Sequence, residues 1–133
     1  MEGGGYRVTI ALQALAEHHI PAVLDACSYW QELARYGPTY WRPRSNAELH
    51  RKIDDTAGPQ PATAYAFVLD TENSLVGEVS IHTIDWRNFH AQVGIYIWRS
   101  EDRRHGYSRA GAELAITSWH GMHKCAIYVK IMA

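Results

Sequence analysis

The chain has 133 residues, 47% of them hydrophobic and 20% charged, enough for one domain with a real core and far from the polar composition of a disordered chain. Its 13 basic and 14 acidic residues leave a formal net charge of -1, so overall charge draws it neither to nucleic acid nor to an anionic membrane. No apolar run reaches membrane-spanning length and no basic segment precedes an apolar stretch at Met1, so a single soluble, cytoplasmic domain over residues 1–133 is expected.

After a glycine-rich start, Arg7 to Leu12 alternates as a first strand. Helical spacing of Ile20, Val23, Leu24 and Cys27 predicts one or two helices between Ala16 and Arg35, broken near Ser28-Tyr29 or Gly37-Pro38, with Pro21 tolerable only near a helix start. An aromatic loop, Gly37 to Pro43, leads to a helix opened by the capping-box spacing of Ser45 and Glu48, continued by Leu49 and Ile53 and ended by Gly58-Pro59-Gln60-Pro61. The period then changes to that of strands. Ala64 to Leu69, Leu75 to His82 and Gln92 to Trp98, joined by turns at Asp70 to Ser74 and Asp85 to Asn88, make an antiparallel meander. A charged turn, Ser100 to Gly106, opens a helix whose apolar stripe is Tyr107, Ala110, Gly111, Leu114, Ala115, Ser118, Trp119 and Met122, with Arg109, Glu113 and His120 off it. Gly121 suits its end, and Lys124 to Ile131 reads as a last strand, parallel to the third meander strand across a βαβ connection. The fold class is therefore mixed α/β, an antiparallel meander leading into a βαβ unit.

The junction from Gln92 to Arg109 carries the chemistry. A helix start presents unpaired N–H groups and a positive dipole end, Gly106 lets the backbone close on a ligand, and Arg103, Arg104 and Arg109 add charge. An anion such as a diphosphate fits there, set against a solvated basic turn that only caps a helix. Cys27 and Cys125 lack metal or redox spacing and read as reduced structural thiols. Among eight histidines only His120 and His123 have helical spacing, without a third ligand, so no metal site is expected. Tyr29, Trp30, Tyr36, Tyr40 and Trp41 either pack helices on the sheet or form an aromatic lip for a cationic group.

The run Arg103-Arg104-His105-Gly106-Tyr107-Ser108 resembles the Gln/Arg-x-x-Gly-x-Gly/Ala pyrophosphate loop of the GCN5-related N-acetyltransferases. Around it, Leu75-Val76-Gly77-Glu78-Val79, Ile84 to Asn88, Ala91 to Ile97 and Met122-His123-Lys124 follow in the order of the ribosomal-protein-alanine and spermidine acetyltransferase branch. The resemblance implies the acyl-CoA N-acyltransferase fold with its last helix and strands missing, because the family continues past the strand near Lys124 whereas this sequence closes at Met132-Ala133. It implies acetyl-CoA as cosubstrate, its pantetheine arm on the backbone of Tyr96, Ile97 and Trp98 and its pyrophosphate held by Arg103, Arg104, His105, Gly106, Tyr107, Ser108 and Arg109. The implied reaction is direct acetyl transfer to a primary amine, either a protein N-terminus or a small polyamine.

His82, Gln92 and Tyr96 are the candidates at the reacting centre, with Asp85 and His90 as further bases beside the hairpin. Gln92 stands where several family members carry a glutamate, and an amide takes no proton near neutral pH. Gln92 and the early chain end carry a second expectation, a truncated domain that binds acyl-CoA or a protein partner without turnover. A final strand left as an edge implies a homodimer paired through it.

Overall fold

Two hydrophobic cores lie on opposite faces of one sheet, and the alternation of side chains along its strands decides which residue joins which. The computed structural model describes residues 10–29, 31, 34–35, 43–58, 62–72, 74–88, 90–123 and 128–131, with the backbone alone for 122, 123 and 128–131. Strands β1 (Ile10–Ala14), β2 (Tyr65–Thr71), β3 (Leu75–Asp85), β4 (His90–Ile97) and β5 (Tyr128–Ile131) lie in the order β1-β2-β3-β4-β5. The first four pair antiparallel, and β5 joins β4 in parallel.

Helix α1 (Ile20–Ala26) follows a 3-10 turn at Glu17–His19, with Pro21 in its first turn, where a missing N–H costs nothing. Its chain leaves the helix at Cys27, beside the expected break at Ser28-Tyr29. Helix α2 (Asn46–Ala57) starts at Ser45, whose hydroxyl accepts the Glu48 N–H at 3.2 Å. Only half of the expected capping box forms, because the Glu48 carboxylate turns to Arg44 instead. Helix α3 (Tyr107–His123) makes the crossover from β4 to β5.

Three expectations shift. The first strand carries on to Ala14, past the expected end at Leu12, because its partner β2 offers Val68 and Phe67 to Gln13 and Ala14; Arg7, Val8 and Thr9 lie outside the described residues. Strands β3 and β4 extend to Asp85 and from His90, since the Asp85 carboxylate accepts the N–H groups of Arg87 and Asn88 at 3.0 Å each and closes the turn at their ends. On α3 the buried face is Gly111, Ala112, Ala115 and Trp119, whereas Leu114 and Ser118, expected on the stripe, are exposed. The helix is rotated toward Ala112 because Gly111 lies against the Leu69 side chain; a Cβ there would meet Leu69 Cδ2 at 3.0 Å.

The α3 face of the sheet buries Val79, Ile81, Val93, Ile95 and Ile97 with Trp119 at their centre. The opposite face buries Ala66, Val68 and Trp98 against Leu15, Ile20, Val23 and Cys27 around α1 and Leu49 of α2. Between β3 and β4 the strands approach so closely at Gly77 that a side chain there would run into the Tyr96 carbonyl oxygen.

Candidate functional site

Cross-strand partners share a face, and the pairs Glu78↔Tyr96, Ser80↔Gly94 and His82↔Gln92 line the α1/α2 side of β3 and β4. All three residues expected at the reacting centre, His82, Gln92 and Tyr96, therefore stand on one face. His82 Nδ1 lies 3.0 Å from the Thr83 hydroxyl. Its Nε2 lies over Gly94, where an added Cβ would be 3.2 Å from it and 3.2 Å from Ser80 Oγ. Thr83 adopts φ 51 beside the register shift between His82 and Asp85, a left-handed residue of the kind that re-aims side chains at a bulge. Asp85 is engaged by Asn88 and its own turn, whose hydrogen bonds hold its carboxyl below the usual range, and His90 faces it at 3.6 Å. Both sit at the hairpin tip.

Among the described residues, β4 pairs with β5 from Gln92↔Tyr128 to Ile95↔Ile131. Trp98 N–H donates to Val76 O at 3.1 Å, so by strand alternation the N–H and C=O of Ile97 face the opposite edge. This corrects one expectation in part: of the Trp98 backbone groups expected on a ligand arm, the N–H is used inside the sheet. A second correction concerns Arg103. Its guanidinium donates from Nε to Ile97 O and from Nη2 to Trp98 O, each at 3.2 Å, and so ties the turn to the end of β4.

Beyond the 3-10 turn at Ser100–Asp102, Arg104 takes φ 66 and Gly106 φ 81. The His105 ring folds back to Glu101 O at 3.0 Å and stacks on Tyr107 at 5.6 Å between centroids. Ala110 N–H donates to Gly106 O at 3.1 Å as the first helical bond, so the N–H groups of Tyr107, Ser108 and Arg109 have no acceptor within the helix. Arg109 reaches Glu113 at 3.4 Å on the exposed side. Left-handed backbone costs a non-glycine residue about 1–2 kcal/mol. Arg104→Gly is thus expected to raise stability by about 1 kcal/mol in denaturant unfolding; a loss of that size would show that the arginine side chain, not the backbone, secures the turn.

Under this face lies a charge cluster that sequence reasoning missed. Glu78 accepts from Arg44 Nη1 at 2.7 Å and Nη2 at 3.2 Å, from Lys52 Nζ at 3.2 Å and from Trp98 Nε1 at 2.7 Å. Arg44 also donates to Glu48 at 2.8 Å and to Cys27 Sγ at 3.7 Å. The Arg44 side chain is 2% exposed and that of Glu78 14%. Burial alone would raise the Glu78 carboxyl, but the charges of Lys52 and Arg44 and the hydrogen bonds of Arg44 and Trp98 outweigh it and hold the group well below the usual range. Burial pushes the Cys27 thiol up to about 12, and nearby Glu78 adds to this, leaving an unreactive thiol. The available signal was Glu78 itself, a carboxylate inside an otherwise apolar strand, and Arg44 four residues before Glu48.

A cleft of about 440 Å³ opens beside the end of β4, lined by Asp25, Ser28, Tyr29 and Trp98 to Glu101, a size that suits a small ligand. Arg99 crosses to Asp25 at 3.2 Å on its wall. Tyr29 is 77% exposed there; Trp30, Tyr36, Tyr40, Trp41 and Cys125 lie outside the described residues. Among the described residues no group of three or more His, Cys, Asp or Glu converges to hold a metal, and no described helix is long and apolar enough to cross a membrane.

Comparison with solved structures finds the same fold in an acetyltransferase from Salmonella typhimurium that modifies the N-terminal serine of ribosomal protein L7/L12, with a TM-score of 0.76 and 16% identity over 92% of this chain and 71% of that one. A ribosomal L7/L12 α-N-protein acetyltransferase in complex with coenzyme A matches with a TM-score of 0.77, also at 16% identity, over 92% and 71% of the two chains. Spermidine N-acetyltransferase from Vibrio cholerae, in complex with CoA and spermine, matches with a TM-score of 0.71 at 16% identity over the same shares. Comparison with curated protein sequences returns no significant match. The family model of the acetyltransferase (GNAT) domain matches residues 9–132, taking in every strand, the turn after β4 and the helix that follows it, and the chain belongs to that family.

Proposed function

We propose that this domain transfers the acetyl group of acetyl-CoA to a primary amine of a small polyamine or a protein N-terminus. One observation carries the reading: the end of β4 at Ile97, the turn at Arg103 to Gly106, and the N–H groups of Tyr107, Ser108 and Arg109, which have no acceptor within the helix, follow one another along the chain. A pantetheine carbonyl accepts from the Ile97 N–H, the Ile97 C=O being held by Arg103. The diphosphate meets the α3 N-terminus and the charge of Arg104, where N–H groups and dipole both favour an anion.

The amine nitrogen attacks the acetyl carbonyl carbon, the carbon–sulfur bond breaks, and the thiolate takes a proton to leave as CoA. The amine must lose a proton on the way. His82 suits that role better than Gln92, since imidazole accepts a proton near neutral pH and an amide does not. The absent side chain at Gly94 lets the His82 ring lie over β4, and Tyr96 lines the same face nearer the phosphate turn. In the cleft next to β4, where Arg99 pairs with Asp25, the carboxylate of Glu101 and the ring of Tyr29 suit an acceptor carrying positive charge. Gln92 favours a second reading, a domain that holds the donor with little turnover.

Calorimetric titration with acetyl-CoA and CoA, followed by thiol release with polyamines and with N-terminal peptides, separates the readings. Binding with release is the expected result; binding without release selects the second reading, and absence of binding rejects both. Arg104→Glu is expected to weaken CoA binding by about tenfold, the scale of one charge-assisted contact to phosphate, and unchanged affinity would remove the turn from the site.

A further inference from the structure

A carboxylate under a sheet is costly to keep, and apolar residues of similar volume would often serve stability as well. Glu78 nevertheless accepts four hydrogen bonds from three parts of the fold: two from Arg44 ahead of α2, one from Lys52 within it, and one from the indole of Trp98 at the end of β4. Trp98 is in turn held at both backbone groups, its N–H by Val76 O at 3.1 Å and its C=O by Arg103 Nη2 at 3.2 Å. Arg103 also grips Ile97 O. An unbroken line of hydrogen bonds thus runs from the buried acid to the turn where Arg104 and Gly106 adopt left-handed backbone.

We propose that Glu78 is a positioning residue for the donor site: acting through the Trp98 indole and the Arg103 fork, it sets where the phosphate-facing turn stands relative to the end of β4. The inference rests on the reading that acetyl-CoA lies along the end of β4 and this turn. Glu78 itself touches no substrate. The donor's two halves contact different parts of the line, the pantetheine arm the strand and the diphosphate the turn, and a fixed spacing between them lets one ligand engage both without first ordering the turn.

The two halves also supply the test. S-acetyl-pantetheine retains the arm and the thioester but has no diphosphate. Trp98→Phe removes the indole N–H and keeps an aromatic ring in place; Arg103→Lys keeps the charge and loses the two-carbonyl fork. For each full-length variant, dissociation constants for acetyl-CoA and S-acetyl-pantetheine are measured by titration. The expected result is a fall of about tenfold in the preference for acetyl-CoA, the scale of one hydrogen bond to a charged group, with S-acetyl-pantetheine little changed.

An unchanged preference in both variants overturns the link while leaving the donor site standing, and so does an equal loss for both ligands, which marks a packing role. Arg103→Lys, on a partly exposed turn, reads the link even where Trp98→Phe does not fold. A wild-type chain that binds neither donor overturns the donor reading and this inference with it.

Discussion

Replacing Arg44 with methionine is expected to cost about 3–5 kcal/mol of unfolding free energy near neutral pH, because it leaves the Glu78 carboxylate buried without its main hydrogen-bond partner. Lys52 and the Trp98 indole remain, at 3.2 and 2.7 Å, but Lys52 is more exposed and makes a single contact. The double change Arg44→Met with Glu78→Met removes the orphaned charge and is expected to recover most of the loss. Acid dependence gives a second readout. In the wild type the Glu78 carboxyl lies below its unfolded value, so its contribution is fully present above the ordinary glutamate range, about 4.3, and is lost as pH falls through the depressed folded value. With Arg44 gone, burial has less opposing it and the folded carboxyl moves up. The gap between variant and wild type should therefore be widest near neutrality and narrow on acidification. Urea unfolding at pH 7 and pH 4 measures both quantities, and an Arg44→Met chain within about 1 kcal/mol of wild type at pH 7 would mean that the cluster adds no more than an exposed ion pair.

Trp119→Ala should be comparably damaging, about 3–5 kcal/mol, as expected for emptying a large aromatic site in a packed core. Trp119 is fully buried at the centre of the α3 face, with the Trp86 ring 5.9 Å away between centroids. Leu114→Ala is the informative contrast. Both residues belong to the same three- and four-residue series in the sequence, yet Leu114 is 36% exposed, and its truncation is expected to cost below about 1 kcal/mol. Equal costs at the two positions would contradict the observed rotation of α3 toward Ala112.

The two cases mark where reading the chain alone succeeds. Element type and order follow from local periodicity: the meander of β2, β3 and β4, the α3 crossover and the parallel last strand were all legible from alternation, turn residues and the three- and four-residue series after Gly106. The basic turn and the glycine before the α3 start were legible for the same reason, since they are adjacent along the chain. Local pattern also put His82, Gln92 and Tyr96 at strand positions of one parity, which the β3 to β4 register then brings onto one face.

What local pattern does not contain is direction in space. The rotation of α3 depends on Gly111 meeting Leu69, residues on elements remote in sequence. The role of Arg103 depends on whether its side chain turns toward a ligand or back to the carbonyls of Ile97 and Trp98, and the 3-10 turn between them turns it back. The Arg44 and Glu78 pair joins residues 34 positions apart, and nothing near either one in the sequence names the other. By itself, then, the sequence determined the order of elements and the basic turn at a helix start, because those follow from short-range periodicity and spacing, while its motifs carried the family resemblance. Only the tertiary structure decided which charges are buried, which arginine is a clamp and which face of α3 lies inside, because each is set by contacts between segments that the chain brings together only on folding.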